Sequence, residues 1–451
     1  MSAIYVSVFV IFAGVLEASG AGDVFIRLTQ SLLGGYRGGP AKVAVVASSL
    51  FGTISGSAVA NVVGTGSFTI PLMKKSGFKP EFAGAVETAA SSGGQLMPPV
   101  MGAAAFIMAD YLGSYQEVLI AAIIPAILFY IVLFMMIDLE ALRKNLHGQP
   151  KEELPSFMEE LKKGWLLLLP LVLLVVLLVG VKYSAQKSAF VSILFLIAIM
   201  LLYPGKKRRL WDVIGLIAES SKGMVSVALT TGTAGIIVGM LMLTGIGYKL
   251  SSLLVAVSGG HLFLLLVLTM LTSVILGMGM PTSAAYVLLA TLIVPALEQL
   301  GVVKIAAHFF VFYFGIMANV TPPVAVAAYT AAGIAEADSM KTGLTAFRLS
   351  LAGFLLPFMF CINPALLGQG SLGEIAWAII TALVGSFGLA TAVQRYFKGN
   401  LNWPKTLILL VGSVGMMVPG AMSDFIGFAC LAGVYGLQIM KERKTKLAQS
   451  A

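Results

Sequence analysis

At 451 residues, 58% of them hydrophobic and only 11% charged, the chain lacks the polar side chains needed to clothe a soluble globule. Its formal charge of +9 is explained by the loops of a membrane protein, so no nucleic-acid partner is implied. Apolar runs at 118–137, 165–181, 190–202, 262–276, 349–367 and 407–418 approach the ~20 residues of a spanning helix, and a barrel would alternate polar with apolar positions instead.

In chain order, the first apolar stretch (4–18) carries no basic flank and no small-residue cleavage site, and it reads as the interior of a helix bundle. A surface segment follows, then two apolar arms at 43–75 around the tip Ser55-Gly56-Ser57. Arms this short and interrupted predict a re-entrant hairpin that enters and leaves on one face. A helix over 80–111 is interrupted at Gly93-Gly94-Gln95, just before Pro98-Pro99. Three spanning helices are expected at 116–140, 164–181 and 187–203.

The same unit then recurs. A shift of 225 pairs Gly14 with Gly239, Gly20 with Gly245, Gly22 with Gly247 and Gly52 with Gly277. A shift of 224 pairs Pro71 with Pro295 and Pro98-Pro99 with Pro322-Pro323. One module therefore occurs twice. Its second copy has a helix at 224–243, a hairpin at 262–299 with the tip Gly279-Met280-Pro281-Thr282, and a helix at 303–334 broken at Ala318-Asn319-Val320-Thr321. The expected organisation is a first repeat (1–115), connecting scaffold helices (116–222), a second repeat (223–338) and C-terminal transmembrane helices (339–451).

Three spans between the copies invert the second relative to the first. Tracing the chain on that basis puts 25 of the 29 Lys and Arg residues on one side, including Lys74, Lys75, Lys206–Arg209 and the 441–446 tail. Only Lys182, Lys187, Lys249 and Lys304 fall on the other. Basic loops collect in the cytoplasm, so the C-terminus is expected there and the protein in a bacterial or archaeal inner membrane. The fold class is thus an all-α polytopic membrane protein with inverted repeats, two re-entrant helical hairpins and two broken helices.

Interrupted helices leave backbone groups unpaired in lipid, and they are tolerated where a cavity, ion or substrate supplies partners. Free N–H groups at such breaks suit a carboxylate and free carbonyls suit Na⁺. Hydroxyls and amides gather there. Candidate substrate ligands among them are Ser57, Asn61, Gln95, Thr231, Thr282, Ser283 and Asn319. Candidate Na⁺ ligands among them are Ser55, Ser57, Gln95, Thr282, Asn319 and Thr321. The competing reading is that small residues merely let membrane helices pack closely. Glu87, inside the first broken helix, reads either as a buried structural partner or as a coupling group.

Other chemistries find little support. Gly64-Thr65-Gly66 lacks the strand and lysine of a phosphate loop, and His147, His261 and His308 are scattered. Cys361 and Cys430 sit in apolar runs and read as buried thiols. The expectation is no catalytic site, no cofactor, and Na⁺ as coupling ion.

The run VAVVASSLFGTISGSAVANVVGTGSFTIPLMKKSGFKPEFAGAVETAASSGGQLMPPVMGAAAFIMADYLG (43–113) resembles the large subunit of tripartite ATP-independent periplasmic (TRAP) transporters, most of all the fused permeases of the TAXI subgroup. GMGMPTSAAYVLLATLIVPALEQLGV (277–302) and ANVTPPVAVAAYTAAGIA (318–335) are similar to the second half of that family. The resemblance implies an elevator-type ion transporter, with a transport domain made of both hairpins and both broken helices and the other helices as its scaffold. It implies a periplasmic TAXI-type substrate-binding protein, a small organic anion as substrate, Na⁺ sites at Ser55, Gly56 and Ser57 facing Gly93, Gly94 and Gln95 and at Gly279–Thr282 facing Asn319, Thr321 and Pro322, and a polar stretch from Thr231 and Gly232 along the substrate cavity. TAXI permeases commonly carry further helices upstream, so a small membrane subunit or missing fused N-terminal helices is expected, besides membrane lipid. The alternatives are a one-component Na⁺/organic-anion symporter without a binding protein and, from another class, a non-transporting membrane scaffold or embedded enzyme.

Overall fold

The computed structural model describes residues 2–202, 210–418 and 420–450, and these form helices joined by short turns, with no strand among the described residues. Lipid forces this outcome, because a helix satisfies its own backbone where no water can. Helix α1 (Ser2–Ala18) bends by 62° into α2 (Ala21–Leu33) across Gly20. Two helices follow, α3 (Gly39–Ser55) and α4 (Ala58–Lys75), and then α5 (Pro80–Gly94), a break, and α6 (Ala103–Leu112). Proline suits the first turn of α5, where its missing N–H would be unpaired anyway.

Helix α7 (Tyr115–Arg143) is started by the Ser114 hydroxyl, which accepts from the Glu117 N–H. Next come α8 (Phe157–Val175), ending in a π-turn, and α9 (Ala185–Leu202). The element order then repeats. Helix α10 (Leu210–Thr244) bends by 73° into α11 (Ile246–Ser258), and α12 (Leu262–Gly277), α13 (Thr282–Leu292) and α14 (Val294–Gln299) precede a second interrupted pair, α15 (Lys304–Met317) and α16 (Val326–Ala335). The Pro98–Pro99 and Pro322–Pro323 bonds are both cis. Helices α17 (Ser339–Leu349), α18 (Leu351–Ile362), α19 (Leu372–Gln394), α20 (Trp403–Met417) and α21 (Ala421–Ser450) close the chain.

Among the described residues, seven helices are long and apolar enough to cross a membrane, or nine if each bent pair is one span. Their outward faces are greasy: Ile120, Val172, Phe190 and Trp377 are all exposed, as lipid-facing side chains are. The chain is therefore a polytopic helical membrane protein.

Three details differ from the sequence expectation. Helix α10 begins at Leu210, well before 224 and across the 222/223 boundary, because no proline stops it there. The first break falls at 95–102 and the second at 318–325; the first keeps only Gln95 of its expected motif, the second starts at Ala318 as expected, and both run several residues further. The segment 282–299, read as half of a hairpin too short to span, has by itself the length and hydropathy of a span, although it is kinked at Ile293. Lys206–Arg209, part of the charge count, lie outside the described residues.

Packing ties the two copies together. Helix α5 lies against α3, α4, α16 and α17, while α13 touches α6, α10 and α15. Each interrupted pair is also capped from the other copy. Lys74 donates to the Ala335 carbonyl at the end of α16 (2.8 Å), and Lys304 donates to the Tyr111 carbonyl at the end of α6 (2.8 Å). Lysine is favourable there because the last carbonyls of a helix lack partners and carry partial negative charge.

Candidate functional site

The first tip is built by glycine and serine. Gly56 ends α3 with φ of 60°, a left-handed conformation that costs glycine nothing, and the Ser57 hydroxyl caps α4 by accepting from the Ala60 N–H. Gly56 packs directly on Gly102, where a Cβ would come within 2.5 Å of the Gly102 Cα, so only glycine lets the tip reach the break between α5 and α6. Four residues back, a Cβ on Gly52 would overlap the Gly94 Cα, which locks α3 onto α5.

Gln95 is the hub. It is buried at the start of the first break; its Nε2 donates to the Gly56 carbonyl (2.8 Å) and lies 3.1 Å from the Thr282 hydroxyl. One amide therefore joins the first tip, the first break and the second tip. Around it lies a cavity of about 370 Å³ whose wall includes Gly56, Ser57, Gly279, Thr282, Ser283 and Asn319.

Four helices present their N-terminal ends to this cavity: α4 at Ser57–Val59, α6 at Gly102–Ala104, α13 at Thr282–Ser283 and α16 at Val326. The ends of α3 and α5, and the loop after α15, reach the same wall through Gly56, Gln95 and Asn319. Among the described residues, no Lys, Arg, His, Asp or Glu lines it. The electrostatics thus come from backbone dipoles, with N–H groups suited to an anion and carbonyls suited to a cation.

Of the residues singled out in the sequence, Gly56, Ser57, Gln95, Gly279, Thr282, Ser283 and Asn319 meet here. The others do not line the cavity. Ser55 directs its hydroxyl to the Ser57 carbonyl (3.5 Å), and Asn61 is turned away, its Nδ2 donating to the Ser48 carbonyl (2.8 Å). Gly93 abuts Phe129 and Tyr130, and Gly94 abuts Gly52. Thr321 donates back to the Met317 carbonyl (2.7 Å), and Pro322 lies beside Gly343. Thr231 and Gly232 share a turn with Thr233, which lines an adjoining, mainly apolar cavity of about 230 Å³ that also touches Met280 and Pro281. Sequence reasoning missed Met101–Ala104, which contribute through backbone position; the glycine just after Pro98-Pro99 was the available signal.

Behind the first tip sits Glu87, fully buried. Its carboxylate takes hydroxyl donors from Ser48 on α3 (2.6 Å), Thr65 and Thr69 on α4 (2.5 Å each) and Ser91 on its own helix (3.1 Å). These hydroxyls clamp both hairpin arms to α5 through one buried side chain. Asn61 extends the clamp toward the tip, since its Oδ1 lies 3.1 Å from the Thr65 hydroxyl.

A lipid-embedded bundle that gathers interrupted helices around an uncharged polar cavity defines a membrane transport protein. The family model for the tripartite ATP-independent periplasmic transporter, DctM component, matches residues 1–375, and the chain belongs to that family. It is 24% identical over 376 residues to the C4-dicarboxylate TRAP transporter large permease protein DctM of Pseudomonas aeruginosa, covering 82% of this chain and 85% of that one. It is 26% identical over 337 residues to the sialic acid TRAP transporter permease protein SiaT of Haemophilus influenzae, covering 72% of this chain and 53% of the other. The 2,3-diketo-L-gulonate TRAP transporter large permease protein YiaN of Escherichia coli is 24% identical over 366 residues, with coverages of 78% and 83%.

Proposed function

We propose that the chain is the large permease of a Na⁺-coupled, binding-protein-dependent secondary transporter that imports small organic anions across the inner membrane. The observation that carries this reading is the meeting of both tips and both breaks in one cavity where four helix N-termini converge and no charged side chain stands. A carboxylate entering it finds N–H groups already oriented, while carbonyls at the helix ends and the Ser57 and Thr282 hydroxyls offer oxygen to Na⁺. Neutral ligands hold a monovalent ion weakly, as release on the far side requires. The names of the relatives point the same way, since C4-dicarboxylates, sialic acid and 2,3-diketo-L-gulonate are all acids.

In this reading α3–α6 and α12–α16 form the moving unit, with the hairpins re-entrant from opposite faces, and the remaining helices form the scaffold of an elevator. Gly93 against Phe129 of α7 is one smooth contact between the two. The soluble partner is a periplasmic binding protein of the TAXI type, supported by the sequence resemblance, with a small membrane subunit completing the scaffold. Proteoliposomes test this. Accumulation of the binding protein's ligand should require an inward Na⁺ gradient, the binding protein and the small-subunit helices together. Uptake by the permease alone would instead establish a one-component symporter, and uptake indifferent to Na⁺ would remove sodium coupling.

A further inference from the structure

Another cavity, of about 570 Å³ and lined by charged residues, lies away from the transport cavity, between the α4–α5 loop, the start of α5, the end of α7 and helix α17. Lys79, Arg143, Lys144, Lys341 and Arg348 line it, against only Glu81 and Glu140. Glu140 is already engaged by Arg143 at 3.2 Å. The Arg348 Nε is buried and has no hydrogen-bond partner among the described residues. The first turn of α5 adds free N–H groups, because Lys79 at its N-cap provides no side-chain acceptor. The floor is apolar: Phe78 and Phe82 are buried and stacked with centroids 5.6 Å apart.

We propose that this cavity binds the phosphate headgroup of an anionic phospholipid. Two guanidiniums and three ammoniums around one hollow suit a phosphodiester, which arginine grips in a bidentate fashion. The volume is that of a drug-sized ligand rather than of a lone inorganic anion, and the phenylalanine floor accepts the glycerol and first methylenes of a lipid. The position fits too. Arg143 closes the 29-residue apolar helix α7, so the cavity sits at the bilayer surface, on the face that the Lys and Arg distribution assigns to the cytoplasm, where anionic lipid and basic side chains meet. The ligand would bridge α7 of the scaffold to α5 and α17, and so bias how the two parts sit against each other. Only that last consequence rests on the elevator reading; the binding site itself does not.

Native mass spectrometry of the full chain in micelles containing equal phosphatidylglycerol and phosphatidylcholine tests the site. One phosphatidylglycerol should be retained in preference to phosphatidylcholine, and the double variant Lys79→Gln/Lys341→Gln should lose it by about tenfold or more. Both lysines are exposed, so the fold should survive, and Lys162→Gln, an exposed lysine elsewhere, should retain lipid as the parent does. Equal retention of both lipids, or a double variant that holds phosphatidylglycerol like the parent, overturns the proposal. Inorganic phosphate bound with no lipid retained assigns the cavity to a soluble anion and overturns it equally.

Discussion

Gln95→Ala removes the one side chain that touches the first tip, the first break and the second tip. Two contacts disappear, Nε2 to the Gly56 carbonyl at 2.8 Å and the pairing with Thr282 at 3.1 Å. A neutral hydrogen bond contributes about 0.5–1.5 kcal/mol net, so together they amount to about 1–3 kcal/mol. Both face a cavity that water can enter, which replaces part of the loss and puts the expectation in the lower half of that range. At about 1.4 kcal/mol per decade, Na⁺ affinity should fall roughly five- to thirtyfold. The assay needs no transported substrate: a ligand that binds the folded state raises its melting temperature in proportion to ln(1 + [L]/Kd), so Na⁺ is titrated against choline while unfolding is followed. The Gln95→Ala curve should begin to rise only at several-fold higher Na⁺ and then climb with the parent's slope against ln[Na⁺]. A curve superimposable on the parent would show that the hub does not shape an ion site.

Glu87→Ala strands the hydroxyls of Ser48, Thr65, Thr69 and Ser91 around a new void, but Thr65 and Thr69 can turn to the Asn61 and Thr65 carbonyls at 2.9 and 3.0 Å. The cost should be about 2–4 kcal/mol in unfolding, with Glu87→Gln milder because it keeps the volume; equal stability of Glu87→Ala and parent contradicts the clamp. Gly52→Ala forces a Cβ into Gly94 and to 2.9 Å from the Asn61 Nδ2, and should destabilise by about 1–3 kcal/mol in the same assay, whereas an unchanged melt would mean that α3 and α5 are not in contact. Cysteines at the exposed positions Lys75 and Val303 should react with impermeant reagents from opposite faces of the membrane; labelling from one face only would remove the inverted arrangement.

The hairpins and breaks were legible because their chemistry is local. Ser55-Gly56-Ser57 and Gly279–Thr282 read as turns from composition alone, and both tips line the cavity. Gly93 and Gly94 misled because glycine has two uses. Here they end a regular helix and permit contact with Phe129 and Gly52, while the interruption begins one residue later. Asn61 was read as a ligand, yet with Thr65 and Thr69 it forms a stripe at i, i+4 and i+8 that faces Glu87, a spacing visible in the sequence. The convergence of four helix N-termini was not readable, since it depends on how distant helices pack and not on any residue type.

The central claim is that each tip contributes a hydroxyl to an ion site, and it is tested most directly by Na⁺ titration of uptake in Ser57→Ala and Thr282→Ala. Ser57 and Thr282 each stand at the first turn of the second hairpin arm and line one cavity. Losing one neutral ligand costs about 1–3 kcal/mol, so each variant should need several-fold more Na⁺ for half-maximal uptake, at normal membrane expression. Alanine preserves close helix packing, so titrations of both variants that overlay the parent would return these residues to a packing role and contradict the account.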